Sequence, residues 1–432
     1  MGHSLYLRGA QIIDGTGKDP IEHGTILIED GRISEVGGSD LPLRPGVEIA
    51  DVTGQTIMPG MVDCHFHAIY RDASSHEDYD FRRSPEESMI VAALNAQIIL
   101  EGGFTTARDV GTRGLTAVTL RNMIDADILT GPRIRAGGPI ITSTGGLSDH
   151  YGYWGCNHNA LGRIADGAQE ITLAVREQIK YGVNNVKLEA SGTGISTYSH
   201  STKQTTPEED LRAAVIEAHR NGVRVACHAQ GNASIKNAVR AGVDTIEHGS
   251  FLDEESILLM KSHGTVLVPT LSVMYLYVNK GPEVGVPAWA VDKFRGDLDA
   301  HIESFQLAHS SGIPIALGSD SGHAFNPQEM IAFELELMVR FGMSPMEALV
   351  SATATGAAAV GLGDQVGRLL PGMQADLLVV NGDPLTDVRI LQQRERLTAV
   401  YKGGELLAGT NARRESARVK INTSAAPVLG GR

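Results

Sequence analysis

Apolar and polar positions alternate at short range over residues 5–57. The runs Gln11-Ile12-Ile13, Gly24-Thr25-Ile26-Leu27-Ile28, Gly31-Arg32-Ile33-Ser34-Glu35-Val36 and Gly54-Gln55-Thr56-Ile57 are separated by turn residues such as Asp14-Gly15-Thr16-Gly17. Successive strand side chains point to opposite faces, so this texture predicts a small antiparallel sheet. It returns near the other end, in Asp376-Leu377-Leu378-Val379-Val380 and Leu397-Thr398-Ala399-Val400-Tyr401. The two chain ends are therefore expected to build one small β-sandwich domain, from residues 1–58 and 363–432, the latter including a tail from 410.

Between them the period changes. Ser84-Pro85-Glu86-Glu87 and Thr206-Pro207-Glu208-Glu209 are helix starts, each with a capping residue, an early proline and acidic residues in the first turn. Helical patterns near 84–101, 115–124, 166–181, 234–241, 253–263 and 290–310, and one that opens at Thr206, alternate with short apolar runs. Eight strand-like runs over roughly 300 residues have the size and pattern of an α/β (β/α)8 TIM barrel, here residues 59–362. The segments 137–163 and 191–206 lack periodicity and are expected to be loops that select substrate.

Chemistry collects at the ends of these runs. In Met58-Pro59-Gly60-Met61-Val62-Asp63-Cys64-His65-Phe66-His67, residues two apart share a strand face, so His65 and His67 project together and can chelate a divalent metal. Lys187, His228, His248 and Asp320 each close a later strand-like run. In a barrel, strand C-terminal ends converge on one face, which would gather all six.

Composition narrows the field. With 42% hydrophobic and 20% charged residues the 432-residue chain is an ordinary globular one, and its net charge of -14 argues against nucleic acid as a partner. No apolar run is long enough to cross a membrane, and the start lacks a charged-then-apolar leader, so a cytoplasmic protein is expected unless a leader was removed. Three cysteines, Cys64, Cys156 and Cys227, do not make a disulfide framework. Cys64 and Cys227 each precede a candidate histidine and should face the opposite side as buried filler.

The order of His65-x-His67, Lys187, His228, His248 and Asp320 resembles the amidohydrolase superfamily, in particular the imidazolonepropionase-related branch of binuclear prolidases, carboxypeptidases and ochratoxin-type amidases. Further segments carry the same resemblance: Gly103-Phe104-Thr105-Thr106-Ala107-Arg108-Asp109, Ile246-Glu247-His248-Gly249 and Gly367-Arg368-Leu369-Leu370-Pro371-Gly372. The resemblance implies a small-molecule substrate, a homo-oligomer and two divalent ions, for which Zn2+ suits the ligand types. It also implies that CO2 adds to the neutral amine of Lys187 to give a carbamate bridging both ions. One ion would then sit on His65, His67, Lys187 and Asp320, the other on Lys187, His228 and His248. A water bridging the ions would attack an amide carbonyl, and Asp320 would pass its proton to the leaving nitrogen. A structural ion pair with Glu189 is the other reading of Lys187.

Relatives often carry a Thr-Gly-Gly-His that holds the substrate carbonyl. Here the text is Thr144-Gly145-Gly146-Leu147-Ser148-Asp149-His150, so the histidine is displaced or absent; His150 is the candidate for that catalytic role, with Tyr151, a candidate substrate contact, and Tyr153 in the same loop. Arg108, Arg71, Tyr198 and Gln230 are candidate contacts for a substrate carboxylate or amide. The expected activity is hydrolysis of an amide bond in a dipeptide or N-acyl amino acid, ochratoxin-like phenylalanine amides included. Neutral amides, ureas or carbamates are the alternative, then a one-metal cyclic amidase or deaminase, and last a non-catalytic scaffold.

Overall fold

The structure is a computed structural model and describes residues 4–74, 78, 80, 82–150, 161–196 and 199–412. Strands β1 (Ser4–Ile12), β2 (Ile21–Glu29), β3 (Arg32–Gly37), β4 (Glu48–Asp51) and β5 (Thr56–Pro59) precede the central part of the chain. At the other end come β15 (Leu377–Val380), β16 (Leu397–Lys402) and β17 (Glu405–Ala408). Hydrogen bonding joins them in the order β17-β16-β15-β5-β1-β2-β3, with β4 beside β1. In place of the two sheets of a sandwich there is thus one eight-stranded sheet. The reason lies in β5, which runs parallel to β1 at Gln11 and Ile12 and antiparallel to β15 along its whole length. β4 escaped the sequence reading because Glu48-Ile49-Ala50-Asp51 is mostly exposed and carries little apolar signal.

Alternation along β15 shows what the sheet does. Leu377 and Val379 belong to the apolar core shared with Leu5, Ile26, Ile28 and Ile57, whereas Leu378 and Val380 belong to the large core of the rest of the molecule. One face closes the small domain and the other packs on the central part of the chain.

From β5 the chain passes through Gly60 directly into β6 (Met61–Phe66). A Cβ at Gly60 would lie 2.1 Å from Thr105 Oγ1, so only glycine lets this junction press against the next strand. Parallel strands and helices then alternate. β7 (Phe104–Asp109) and β8 (Arg133–Arg135) follow β6, and a second parallel set comprises β9 (Ile140–Thr142), β10 (Gly162–Ile164), β11 (Asn185–Glu189), β12 (Arg224–Ala229), β13 (Thr245–His248) and β14 (Val266–Val268). The covering helices are α1 (Pro85–Glu101), α2 (Thr116–Asp125), α3 (Gly167–Lys180), α4 (Glu208–Arg220), α5 (Asn232–Ala241), α6 (Glu254–His263), α7 (Leu271–Asn279), α8 (Ala288–Ser310) and α9 (Phe333–Arg340). α1 starts where the sequence indicates, with a reciprocal capping box between Ser84 and Glu87.

Backbone bonds carry the strand path across both gaps. Asn184 N and Asn185 N donate to Ala136 O at 2.7 and 3.3 Å, linking β8 to β11. On the other side residues 315–320 lie between β14 and β6: Ala316 N donates to Leu267 O, Cys64 N to Leu317 O and Asp320 N to His65 O, each at 2.9 Å. The arrangement is α/β and consistent with a TIM barrel. Among the described residues, no helix is long and apolar enough to cross a membrane.

Two expectations are corrected. The segment 137–163 contains β9 and the start of β10, each only three residues long and below the length at which a period shows. Residues 271–279, unassigned from sequence, form α7, which is apolar on nearly every side because it is packed between α8 and α9.

Candidate functional site

Strand ends place the six candidate residues together. His65 lies on β6 and His67 just beyond it, Lys187 on β11, His228 on β12, His248 at the end of β13 and Asp320 at the end of the 315–320 segment. All six line one pocket of about 720 Å³. Ring centroids of His65 and His67 are 5.3 Å apart, of His65 and His248 5.0 Å, and of His228 and His248 4.6 Å. Asp320 Oδ1 lies 3.5 Å from His67 Nε2 and 3.8 Å from His65 Nε2. One nitrogen each of His65 and His248 and one Asp320 oxygen fall within 4.8 Å of one another, a spacing suited to a single cation. His248 and Asp320 hold left-handed backbone, with φ of 70° and 46°. Such non-glycine conformations cost roughly 1–3 kcal/mol and collect where side chains must be aimed at a site.

Each imidazole has one nitrogen occupied from behind. His65 Nδ1 lies 2.7 Å from Glu247 Oε2, His67 Nδ1 2.9 Å from Gly111 O, and His248 Nδ1 2.7 Å from Thr270 Oγ1. These partners leave Nε2 as the donor atom in all three. His228 is reversed: Nε2 lies 3.0 Å from Gly192 O, leaving Nδ1. Outer partners of this kind fix tautomer and ring orientation in metal sites. Burial draws all four rings below the ordinary histidine range, His67 and His228 to about 3, so they stand neutral with a lone pair to offer.

Lys187 is 3% exposed, and among the described residues its Nζ has no hydrogen-bond partner. The ion pair with Glu189 that the sequence allowed is not made, because Glu189 Oε2 accepts from Ser148 N at 3.0 Å and Oε1 from Ser148 Oγ. Burial pulls the Lys187 ammonium down from its usual value, toward the neutral amine. An orphaned buried amine surrounded by four imidazoles and a carboxylate fits a pair of divalent ions bridged through a carbamate on that nitrogen.

Three residues that sequence reasoning left without a role support this cluster. Glu247 Oε1 accepts from Arg108 Nη2 at 2.7 Å, while its Oε2 holds His65. Burial opposes its charge, but Arg108, Lys187 and His65 hold the carboxyl well below the usual range. Asp63 accepts from His65 N, Ser319 N and Ser319 Oγ, tying β6 to the segment that ends in Asp320. Thr270, itself at φ 50°, sits behind His248. Glu247 was legible as part of Ile246-Glu247-His248, but strand alternation points it away from His248's face. The left-handed turn at His248 ends that alternation, so both side chains reach His65.

The remaining candidates divide. His150 lines the pocket, with Nδ1 2.7 Å from Asp80 Oδ2. Gln230 also lines it, and its buried Oε1 has no partner among the described residues. Arg108 is not a substrate contact: it is 1% exposed and spends its guanidinium on Cys64 O, Thr245 Oγ1 and Glu247. Arg71 bonds Asn95 and Glu329, outside the pocket lining. Tyr151, Tyr153 and Tyr198 lie outside the described residues. Cys64 and Cys227 are buried and free.

Residues 56–407 match the Amidohydrolase family. The Aspergillus niger protein named ochratoxinase is 32% identical over 425 residues, spanning 92% of this chain and 85% of its own. The crystal structure of A. niger ochratoxinase superposes with a TM-score of 0.87 at 29% identity, covering 97% of this chain and 100% of that one. A Xaa-Pro dipeptidase with methionine bound in its active site gives 0.86 at 30% identity, covering 94% and 100%.

Proposed function

Since the chain belongs to the amidohydrolase family and is a hydrolase of C–N bonds, we propose that it cleaves the amide bond of a dipeptide or N-acyl amino acid with two divalent ions. The resemblance to ochratoxinase and to a Xaa-Pro dipeptidase supports this substrate range. His65, His67, Lys187 and Asp320 would hold one ion, and Lys187, His228 and His248 the other. CO2 would add to the neutral Nζ of Lys187 with loss of a proton, turning a side chain that cannot ligate a cation in its ordinary protonated form into a carboxylate that can. When bound, the ions supply a Lewis acid for the amide carbonyl and make water acidic enough to attack near neutral pH.

The chain's own groups do the rest. Burial opposes the charge of Asp320, but His65, His323 and His67 hold its carboxyl well below the usual range, so it is an anion at neutral pH. Its Oδ1 can take the proton of the attacking water and hand it to the departing nitrogen. His150 faces the substrate from the wall of the pocket, and Gln230 Oε1 accepts from the substrate's N–H. The same reading takes the parallel strand path as a closed (β/α)8 barrel over residues 59–362, flanked by a small β domain from 1–58 and 363–432.

The observation that carries the proposal is the unpartnered, buried Lys187 amine inside a ring of four imidazoles. One feature favours a second reading, hydrolysis of a neutral amide, urea or carbamate. The described pocket lining has no arginine, and Lys187 is its only lysine, so no described cation there awaits a substrate carboxylate. A panel of Xaa-Pro and Xaa-Arg dipeptides, N-acyl-phenylalanines, their carboxamides and aryl ureas separates the two. Cleavage of the free acids supports the first reading, cleavage of only the uncharged compounds the second, and cleavage of none contradicts both.

A further inference from the structure

One buried carboxylate near the pocket has no part in the ring of candidate ligands. Asp80 is 5% exposed and lies in the segment between β6 and α1. Its two oxygens go to two different places. Oδ2 lies 2.7 Å from His150 Nδ1, and Oδ1 accepts from Leu161 N at 2.7 Å. His150 and Leu161 both line the pocket, and between them runs the whole of 151–160. The side chains of His150 and Asp80 are only 4% and 1% exposed, so the pair is shielded from water and its geometry is held tightly.

The segment before His150 is fastened independently. Ser148 gives both its N–H and its hydroxyl to Glu189, two residues along β11 from Lys187. The turn is closed within itself by Gly145 N donating to Asp149 Oδ2 at 2.9 Å. The chain two residues before His150 is therefore held by one buried carboxylate and the His150 ring by another. A carboxylate accepting Nδ1–H selects one tautomer and one ring orientation, and it presents Nε2 as the nitrogen that a molecule in the pocket meets.

We propose that Asp80 is a positioning residue: by accepting His150 Nδ1–H and Leu161 N–H it holds His150 in the tautomer whose Nε2 lone pair faces the pocket, where it accepts a hydrogen bond from an N–H of the substrate, and sets the pocket wall. The inference rests on the hydrolytic reading above.

The test uses the full-length, metal-loaded enzyme and the variants Asp80→Asn, Asp80→Ala, His150→Gln and the double variant Asp80→Ala/His150→Gln. On a substrate that the wild type cleaves, Asp80→Ala should lower kcat by about 10- to 100-fold, with KM changed less than about 3-fold and metal content unchanged. Asp80→Asn, which keeps an acceptor oxygen, should recover part of the loss. In the His150→Gln background, removing Asp80 should cost much less than it does alone, because only its hold on Leu161 is left to lose. Additive losses, or equal losses in Asp80→Asn and Asp80→Ala, overturn the proposal. Nitrogen-15 histidine spectra, with His150 assigned through His150→Gln, give a readout that needs no substrate. They should show protonated Nδ1 in the wild type and a shift toward protonated Nε2 in Asp80→Asn. An unchanged tautomer overturns the positioning role, whereas a wild type inactive on the whole panel with the expected tautomer shift faults the hydrolytic reading instead.

Discussion

Glu247 decides more than its place in the sequence suggests. It fixes His65 through one oxygen and neutralises Arg108 through the other, deep inside the parallel strands. A buried ion pair is weak evidence for stability, but removing one member leaves the other uncompensated and costs roughly 3–5 kcal/mol. Glu247→Gln keeps the volume while losing the charge. It should weaken metal affinity about 10- to 100-fold, because partners behind metal-bound histidines set ring basicity and orientation. Competition with a chelating dye measures this, and an unchanged affinity would remove Glu247 from the account. At this scale the sequence read well where chemistry depends on residue type at strand ends, as for His65, His67, His228, His248, Lys187 and Asp320. It read poorly where a charged residue serves the interior. Arg108 looked like a substrate contact because a lone arginine gives no sign of the acceptors it will find, here three groups distant in sequence.

At the scale of elements, the packing of α8 against the turn after β13 carries a pH dependence. His301 on α8 is 1% exposed, and its Nδ1 lies 3.1 Å from Ser250 Oγ. Burial lowers its pKa from 6.5 to about 4. The neutral ring is thus favoured in the folded state, so its contribution is fully present above about pH 6.5 and is lost as pH falls toward 4. The total is on the order of 3 kcal/mol, of which about 2 should be gone by pH 5. Urea unfolding at pH 7.5 and 5.0 should show a loss larger by about that 2 kcal/mol in the wild type than in His301→Gln. Equal losses would contradict the assignment. Most helices were legible because their caps are local: Ser84 with Glu87 at α1, and Asp253 accepting from Ser256 N at α6. β9 and β10 were harder, since three-residue strands are defined by tertiary contact; the 315–320 run was legible as strand-like, but bonds to both neighbours hold it in place. Gly318 shows the dependence, for a Cβ there would fall 2.7 Å from His65 Cβ and 2.3 Å from Val268 Cγ1.

For the whole molecule, the joint between β5 and β15 is decisive. Residues more than 300 positions apart pair there, Leu378 with Met58 and Val380 with Thr56, and the strand they share continues through Gly60 into the one that carries His65. That strands from both chain ends come together was readable from the return of the same alternation. That they form one sheet was not, because pairing partners are set by the path of the intervening chain. Truncation after residue 369 would strip Ile57 and Met58 of their cover. The shortened protein should lose its cooperative thermal transition, and an unchanged transition would show that the first strand needs no support from the C-terminal sheet. The central claim is that side chains from five strand ends hold two cations through a modified Lys187. Metal analysis of purified wild type and Lys187→Ala by mass spectrometry tests it most directly. The account predicts close to two equivalents of divalent metal per wild-type chain and well under one in Lys187→Ala, with hydrolysis lost, whereas two equivalents and full activity in the variant would contradict it.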